Sequence, residues 1–516
     1  MSKMARSFSS LAISVLLAVT VVSGAALSEP SDSVKCATNE QTAPGYWSKS
    51  ILYNGTVVTM EGEEGDIQIA EAVAIEGDHI IAVGSDDYVL AFQDPSTHIV
   101  DLCGSTVLPG FIDSHSHALT MYEYTCVGAP FETGQRWVNT FGNPGIMKGV
   151  TVQDAIRVTL KGGWTSISEL FVKQGHLDSL LSLDAAGELG VRVNAYLALN
   201  SGFERFGNWY TAYPPGQEFS TKLRVGGVKI FADEAYYGRF ALLSQEDLAF
   251  LVSKAHSEGY QIAIHAMDKG IDMVLNVYQQ VLQGEQDPAC RDRLEHLAVT
   301  RDDQLSRMAQ LGLIASFQMT WFTSNPWDIW DVKKYIGLDR VDLVGRWHDI
   351  VEAGIPSIGS TDFPNVYDTD NSAMAAIFKA VTRIGHPGLP PPQWELDQRI
   401  TVERALRLLT IDAAYGTFQE DVKGSIAVGK LADLVVLSDN PLAIPPESLM
   451  DISVLMTMVG GQVEYCAPGH EYLYGSVCPT SLASIDYGTF SNTALPNPTE
   501  GLVVASETIT SFKENV

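Results

Sequence analysis

Histidines at the ends of apolar segments are the side chains of this sequence best suited to chemistry. The clearest group is His115-Ser116-His117, which follows the apolar segment 107–112. In an extended backbone, residues two apart point to the same side, so both imidazoles can bind one cation. A bare His-x-His would more often lie in a solvated loop. The strand before it and the sites below favour a metal centre instead.

Three more polar side chains come at the ends of predicted strands. His265 lies near the end of segment 261–266, His296 follows Leu294-Glu295, and Asp362 follows segment 357–361. Either histidine alone would more often be a packed residue than a ligand. Together with the first pair they predict a metal centre at the carboxyl ends of parallel strands, where TIM-barrel enzymes assemble their active sites.

Lys229 lies in the middle of another predicted strand, 227–232. A lysine inside a barrel is costly to keep charged. Its neutral amine can react with carbon dioxide, and the resulting carbamate is an anionic ligand able to bridge two cations. The alternative is an outward lysine, or one paired with Asp233 or Glu234. The burial argument favours the carboxylated, metal-bridging Lys229.

The elements that position these residues alternate between apolar β-like segments and helical patterns from 107 to 414. This alternation predicts an α/β fold, a (β/α)8 TIM barrel over residues 108–414. Two amphipathic segments, 244–258 and 300–311, fit helices between strands. The eight predicted strands are 107–112, 165–169, 191–199, 227–232, 261–266, 293–298, 313–317 and 357–361.

Both flanks of the barrel are rich in short strands and turns. Residues 50–107 and 415–466 therefore predict one small composite β-sandwich domain, closed by both ends of the chain. Residues 467–516 are predicted to be a C-terminal tail, since the sequence after Cys478 is rich in Ser, Thr, Asn and Pro without periodicity.

The first 26 residues have the layout of a secretory signal peptide, with Lys3 and Arg6, an apolar run over 11–22 and then small residues. An uncleaved membrane anchor is the alternative, but the run is shorter than the ~20 residues that a spanning helix needs. We therefore expect a secreted or periplasmic protein without a membrane partner after cleavage. The formal net charge of −29 argues against nucleic acid as a partner.

Six cysteines in an exported chain permit disulfide bonds, and none forms a CxxC zinc motif. The first pair to expect is Cys466 with Cys478, which flank a short segment. No local signature predicts a nucleophilic cysteine.

On these motifs the sequence resembles the amidohydrolase superfamily, and within it the YtcJ-like, or amidohydrolase 3, branch. The resemblance covers roughly residues 50–463. It is carried by the segments 108–117, 227–233, 265–266, 294–296, 359–364 and 424–436.

The resemblance implies a mononuclear or binuclear centre, usually of zinc. His115 and His117 would bind one metal, His265 and His296 the other, and carboxylated Lys229 would bridge them. Asp362 would lie beside the hydrolytic water as metal ligand, general base and later proton donor. Cations lower the pKa of bound water from ~16 toward ~7 and polarise a carbonyl, so an aspartate there can shuttle the proton.

Two further residues are predicted to bind substrate. Arg239 matches an arginine that the branch often carries after strand four, although a surface guanidinium is the alternative. Trp321, with Phe322 and Trp327, would line an aromatic pocket, although packing explains them almost as well. The sequence departs from the family at 265–269, where His-Ala-Met-Asp-Lys lacks the glycine of the usual His-Ala-x-Gly-Asp, which puts that loop in doubt.

The resulting functional hypothesis is metal-dependent hydrolysis of a non-peptide carbon–nitrogen bond in an amide, N-acyl, formamide or cyclic amide. The small-molecule substrate would be attacked by metal-activated hydroxide. Deamination of a heterocycle or opening of a lactone is the alternative on the same scaffold. A non-catalytic binding protein is a further alternative, which the complete set of ligands argues against. Members of the family often form dimers, so the resemblance also implies a homodimer as one possible assembly.

Overall fold

The computed structural model describes residues 47–475 except 120–151, 235–237, 285–286, 288, 326–328, 330–331, 364–370 and 387. Within that part of the chain, eight parallel strands form a barrel and the two flanks form a separate pair of sheets. The predicted fold class is therefore confirmed. The predicted signal peptide lies outside the described residues. Among the helices described, none has the length and apolarity that crossing a membrane requires.

The amino-terminal flank contributes seven strands and one short helix. They are β1 (Lys49–Tyr53), β2 (Thr56–Val58), β3 (Ile69–Ala70), β4 (Ala72–Glu76), β5 (His79–Gly84), α1 (Asp86–Leu90), β6 (His98–Asp101) and β7 (Thr106–Pro109).

The barrel strands pair in parallel with their neighbours in chain order. A short hairpin, β11–β12, follows the third of them. The strands are β8 (Phe111–Ser116), β9 (Trp164–Val172), β10 (Arg192–Ala198), β11 (Asn200–Ser201), β12 (Glu204–Arg205), β13 (Leu223–Phe231), β14 (Ile262–Ala266), β15 (Arg293–His296), β16 (Ile314–Gln318) and β17 (Ser357–Ser360).

Two backbone hydrogen bonds join the last barrel strand to the first. The amide of Asp362 donates to the carbonyl of His115 at 2.8 Å, and the amide of His117 donates to the carbonyl of Phe363 at 2.7 Å. Closure of the barrel thus brings together two of the sites that the sequence predicted, although they are more than two hundred residues apart.

Helices follow the barrel strands, and several of them pack an apolar face against these strands. The predicted helices 244–258 and 300–311 correspond to α4 and α6, and the Ser244 side chain caps α4 by accepting from the amide of Asp247. The helices are α2 (Val152–Lys161), α3 (Gln174–Ala185), α4 (Gln245–Ser257), α5 (Lys269–Val281), α6 (Asp302–Leu311), α7 (Trp347–Glu352), α8 (Ala373–Thr382), α9 (Gln393–Leu396), α10 (Val402–Leu408) and α11 (Ile411–Tyr415), with short 3-10 or π segments at Trp209–Ala212, Val332–Ile336 and Leu338–Leu343.

The carboxyl-terminal flank returns to the sheets of the first flank. It consists of β18 (Leu434–Leu437), a 3-10 turn (Pro446–Asp451), β19 (Val454–Val459), β20 (Gln462–Cys466) and α12 (Glu471–Tyr474). The sheet orders are β5-β4-β1-β6 and β20-β19-β18-β7-β2-β3. Apolar side chains of both sheets share one buried cluster, which makes this domain the predicted composite sandwich.

The chain remains packed beyond the predicted start of the tail at residue 467. Leu473 and Tyr474 of α12 are buried in the sandwich cluster. Cys103 and Cys466 each form a disulfide bond, and Cys290 is free. Cys478, which was predicted to pair with Cys466, lies outside the described residues.

The first barrel strand differs from its prediction. Instead of one strand over 107–112, the chain forms β7, which pairs with β18 of the sandwich, and then β8, which pairs with β9 of the barrel. Gly110 separates them, and a Cβ on this residue would lie 2.2 Å from the Thr165 side chain. The predicted bounds were therefore wrong, and His115 lies within the first barrel strand rather than after it.

A buried polar cluster joins the barrel to the sandwich. Arg192 at the start of β10 donates from Nε and Nη2 to the carboxylate of Asp433, at 2.7 and 2.8 Å. Nearby, the amine of fully buried Lys423 donates to Ser166 Oγ at 2.8 Å. These residues sit at the amino ends of the barrel strands, the face opposite the predicted metal centre.

Candidate metal centre

Six side chains predicted as ligands lie on five barrel strands or immediately after them. His115 belongs to β8, Lys229 to β13, His265 to β14 and His296 to β15, whereas His117 and Asp362 come just after β8 and β17. All except His117 are buried, and the side chain of His117 is 14% exposed. The carboxyl ends of these strands meet at one face of the barrel, as a TIM-barrel site requires.

His115, His117 and Asp362 form the tightest part of the centre. Asp362 Oδ1 lies 3.3 Å from Nε2 of His115 and 3.2 Å from Nε2 of His117. The candidate ligand atoms of these three residues all lie within 4.8 Å of one another. Both imidazoles therefore point to one carboxylate oxygen, a spacing that suits ligands around a common cation.

His265 and His296 lie beside this first group. Their ring centroids are 4.3 Å apart, and the ring of His296 is 4.7 Å from that of His115. Gln318 Oε1 lies 2.8 Å from Nδ1 of His296. Because an amide oxygen only accepts, this contact places the proton on Nδ1 and leaves the lone pair of Nε2 for a metal.

Lys229 is fully buried, and its Nζ has no hydrogen-bond acceptor within the described chain. Burial lowers the pKa of its amine to about 8, although the negative charges of Glu295 and Asp362 act in the other direction and raise it. The neutral amine is therefore accessible near neutral pH. The alternative pairing with Asp233 is not formed, since that carboxylate instead accepts from the amides of Met267, Asp268 and Gly270.

Five buried polar atoms of this centre have no hydrogen-bond partner in the described structure: Nε2 of His115, Nδ1 of His117, Nε2 of His265, Nζ of Lys229 and Oδ1 of Asp362. Buried polar atoms are almost always paired, because leaving one unpaired costs about 1–3 kcal/mol. Burial, followed by nearby positive charges, also lowers the pKa of His115, His265 and His296 well below the ordinary value. Neutral imidazoles are the form that binds metal, so these residues fit a cation.

The loop that departs from the family pattern is held by Asp233. Three of its contacts are to backbone amides at the start of α5, the closest being that of Gly270 at 2.8 Å. The side chain of Asp268 accepts two hydrogen bonds from Arg340, at 2.9 and 2.7 Å. Although the family glycine is missing from this loop, His265 lies on β14 as predicted.

Glu295 and Arg293 are functional candidates that sequence reasoning missed. Glu295 Oε2 lies 2.6 Å from Nδ1 of His115, and Arg293 donates to both carboxylate oxygens at 2.5 and 3.1 Å. Both residues are fully buried. Although burial alone would raise the pKa of Glu295, the charges of Arg293 and Lys229 hold it below its ordinary value. This carboxylate keeps the proton of His115 on Nδ1 and turns Nε2 toward Asp362.

Replacing Glu295 with glutamine is expected to weaken metal binding by about 10- to 100-fold, because the charged acceptor for His115 is lost. The dissociation constant would be measured by competition with a chromogenic chelator. Asp433→Asn removes another buried carboxylate that pairs with an arginine, and we expect it to lower thermal stability without changing metal affinity. Equal metal affinity in the wild type and Glu295→Gln would disprove this role.

Asp113 is a second residue that sequence reasoning missed. Its carboxylate accepts from the amide and hydroxyl of Thr361, at 3.0 and 2.5 Å, and from the amide of His115 at 3.2 Å. Asp113 thereby ties β8 to the end of β17. Asp362, which follows Thr361, has a φ of 59°. This backbone conformation is unfavourable, and the hydrogen bonds between Asp113 and Thr361 help to hold it in place.

The two predicted substrate-binding residues lie in different surroundings. Trp321 stacks on His296, with ring centroids 5.3 Å apart and planes 9° apart. Arg239 pairs through two nitrogens with Glu234, at 3.1 and 2.7 Å, and lies over the ring of Tyr335. Phe322 is buried near Trp347, and Trp327 lies outside the described residues. Of the two predicted substrate-binding residues, Trp321 is the one whose described contacts include a predicted metal ligand.

The sequence profile of the amidohydrolase family matches residues 144–465. The amidohydrolase-type protein YtcJ of Bacillus subtilis is 30% identical over 261 residues, which are 47% of each chain. The N-substituted formamide deformylase of Arthrobacter pascens is 29% identical over 262 residues, 47% of this chain and 46% of that protein. The matches thus span about half the length of these relatives.

Among solved structures, the fold is similar to that of an uncharacterized metal-dependent hydrolase from Pyrococcus horikoshii. The TM-score is 0.61 at 20% sequence identity, over 78% of this chain and 99% of the other. At this identity the likeness concerns the fold, which is the barrel with its additional sheet domain.

Proposed function

This chain belongs to the amidohydrolase family, and from that premise we propose that it is a metal-dependent hydrolase of a small molecule. The bond cleaved is a carbon–nitrogen bond outside peptides, in an amide, N-acyl, formamide or cyclic amide substrate. One observation carries the proposal. The carboxyl ends of the barrel strands carry buried atoms without a hydrogen-bond partner in the described structure, on His115, His117, His265, Lys229 and Asp362.

The donor set suits one or two divalent cations, with Zn²⁺ the metal that we propose. His115 and His117 would hold one ion, and His265 and His296 the other. The carbamate of Lys229 would bridge them, because the amine is buried and its pKa is lowered to about 8. Nitrogen and carboxylate oxygen donors are the ligands of catalytic zinc. When bound, such a cation lowers the pKa of water toward ~7 and polarises the substrate carbonyl.

Asp362 carries the proton transfers in this proposal. Its Oδ1 lies 3.2–3.3 Å from the Nε2 atoms of His115 and His117, and its backbone amide is bonded to β8. The carboxylate takes the proton of the attacking water and then delivers it to the leaving nitrogen. The backbone contacts hold Asp362 in position for both steps, so little reorganisation is needed between them.

The stacked contact between Trp321 and His296 supports a role for Trp321 in substrate binding. Its indole Nε1 is buried and has no acceptor within the described residues. A buried indole N–H usually has a partner. We propose that a substrate oxygen accepts this hydrogen bond. Arg239 remains a candidate for contacting the outer part of the substrate, with its guanidinium oriented by Glu234.

The decisive experiment measures metal content and turnover of the purified mature protein. We expect stoichiometric divalent metal by elemental analysis, and hydrolysis of at least one compound in a panel of formamides, N-acyl amines and cyclic amides. Activity should disappear after chelation and return with Zn²⁺. Release of an amine supports the proposal, whereas release of ammonia or of acid alone indicates a deaminase or a lactonase. A folded protein that binds no stoichiometric metal even when divalent metal is supplied in excess would overturn it.

A further inference from the structure

The mouth of the barrel has an aromatic wall on the side of β9, β10 and β13. Phe171, Ala198, Phe231 and Leu242 form an apolar cluster separate from the main core. Phe171, Phe231 and Leu242 are each 8% exposed, whereas Ile230, one residue earlier on β13, is completely buried. Ala198 and Phe231 are the last residues of β10 and β13, so this wall lies at the carboxyl ends of the barrel strands.

Phe231 connects the wall to the candidate metal centre. Its ring centroid lies 5.3 Å from that of His265, and the amine of Lys229 is 5.0 Å from the centre of the same ring. Residues 229 and 231 are two apart on β13, so both side chains point toward the barrel axis. A group bound on the Phe231 side of His265 would therefore contact this ring.

The opposite side of the paired histidines is also aromatic. His265 and His296 lie 4.3 Å apart by ring centroid, and Trp321 stacks on His296. The rings of Phe231, His265, His296 and Trp321 therefore contact one another in sequence. A charged substituent placed against these rings would lose part of its hydration, whereas burying an aryl group there removes apolar surface from water, which is favourable.

The position of Phe231 is rigidly held. Asn200, which is completely buried, accepts from the amide of Phe231 at 2.9 Å and donates to its carbonyl at 3.0 Å. Both backbone polar groups of Phe231 are thus bonded to one side chain. The ring of Phe231 is therefore presented from a fixed backbone position, which favours discrimination between substrates by shape.

Phe171 reaches the wall through an irregularity in β9. The register between β9 and β10 shifts between Tyr196 and Leu197, and Phe171 has a φ of 106°. A bulky residue rarely adopts this conformation, and bulges next to active sites commonly redirect a side chain. Here the bulge sets the ring of Phe171 edge-on to that of Phe231, with centroids 5.5 Å apart and planes at 88°.

We propose that Phe231, backed by Phe171, is the specificity-determining residue and selects substrates with an aryl group directly attached to the scissile carbonyl. The inference rests on the proposed function, because it assumes that the carbonyl binds at the metal centre. Phe231 contacts His265 directly, so an aryl group one bond away from a carbonyl at the metal lies within reach of its ring. Edge-to-face packing of aromatic rings then favours phenyl over methyl.

The test compares two chelating probes that differ only in this group. Benzohydroxamic and acetohydroxamic acid bind zinc through the same two oxygens, but the first carries phenyl where the second carries methyl. Their dissociation constants for the zinc-loaded protein would be measured by isothermal titration calorimetry, a readout that requires no turnover. We expect wild-type protein to bind benzohydroxamic acid at least ~10-fold more tightly.

Phe231→Ala is expected to reduce this preference to about twofold or less, leaving the affinity for acetohydroxamic acid within about twofold of the wild type. Phe231→Leu retains apolar volume without an aromatic ring, so it guards against a folding defect and should also lower the preference. Phe203→Ala is the matched control. Phe203 is 74% exposed between β11 and β12, and its removal should leave both affinities unchanged.

The possible outcomes separate the two proposals. Equal affinities of the wild type for both probes, or an undiminished phenyl preference in both Phe231 variants, would overturn the aryl-binding inference alone. Failure of the zinc-loaded protein to bind either probe would overturn the proposed metal centre and this inference with it.

Discussion

Lys229→Ala is expected to lower the metal content, from the two ions per chain of a binuclear centre to one or fewer, and kcat/KM by on the order of 10³-fold. The wild-type amine is fully buried and has no hydrogen-bond acceptor in the described structure. Removing it deletes the carbamate that would hold the two ions together. Elemental analysis and steady-state kinetics on the same preparation would measure both effects.

Lys423 provides a matched control for this experiment. It too is fully buried, and burial lowers the pKa of its amine to about 7. It donates to Ser166 at the opposite end of the barrel. Lys423→Ala should therefore lower thermal stability while leaving metal content unchanged. If both lysine variants lose metal equally, the loss reflects general destabilisation and the bridging role of Lys229 is wrong.

Acetate should partly restore metal binding and turnover to Lys229→Ala, because the deleted side chain leaves room for a small carboxylate between the two groups of histidines. Lys423→Ala should not respond to acetate. Carboxylation itself would be detected by the carbon-13 resonance of the carbamate after equilibration of the wild type with labelled bicarbonate. Absence of that resonance in active, metal-replete protein would contradict the proposed bridge.

Asp362→Asn is expected to lower kcat by about 10²- to 10⁴-fold with a much smaller change in KM. Asparagine keeps the size of the side chain and the backbone hydrogen bond to His115, but it cannot take a proton from water. Metal should be retained at more than half of the wild-type content, because the amide oxygen remains available as a ligand. Pre-steady-state and steady-state rates on the best panel substrate would measure the loss.

Asp113→Asn distinguishes proton transfer from local architecture. Asp113 is buried within the same part of the barrel, and burial raises the pKa of its carboxyl to about 7. Its described contacts are to Thr361 and to the amide of His115. We expect its variant to unfold at lower temperature and to lose less than about tenfold in kcat. An Asp362→Asn enzyme that retained activity within tenfold of the wild type would exclude Asp362 as the general base.

Much of the centre follows from local sequence, because strand geometry repeats every two residues. That period aligns His115 with His117 and Lys229 with the barrel interior. The position of each site at the end of a predicted strand then predicts the common face, since parallel barrel strands end together. These rules need only neighbouring residues, and they were sufficient to predict that these side chains lie at one end of the barrel.

The same period fails for the pair Glu295 and His296. Adjacent strand residues point to opposite sides, so alternation alone cannot bring both side chains to the centre. His296 has a φ of 80° and Leu297 a φ of 52°, which end β15 and turn the backbone. Glu295 then reaches His115 in the interior while His296 lies beside His265. The turn is a property of the folded strand end, not of a sequence pattern.

The sequence by itself therefore determined the barrel, the composite sandwich and the candidate ligands, because each follows from periodicity within a few residues. Only the tertiary structure decided which residues support them. Glu295 orients a histidine that is 180 residues away, and Phe231 reaches His265 through the pairing of separate strands. The fold also buries a second lysine, Lys423, and the local sequence pattern did not predict that burial. Such contacts depend on strand order, register and bulges, which arise only when distant segments pack together.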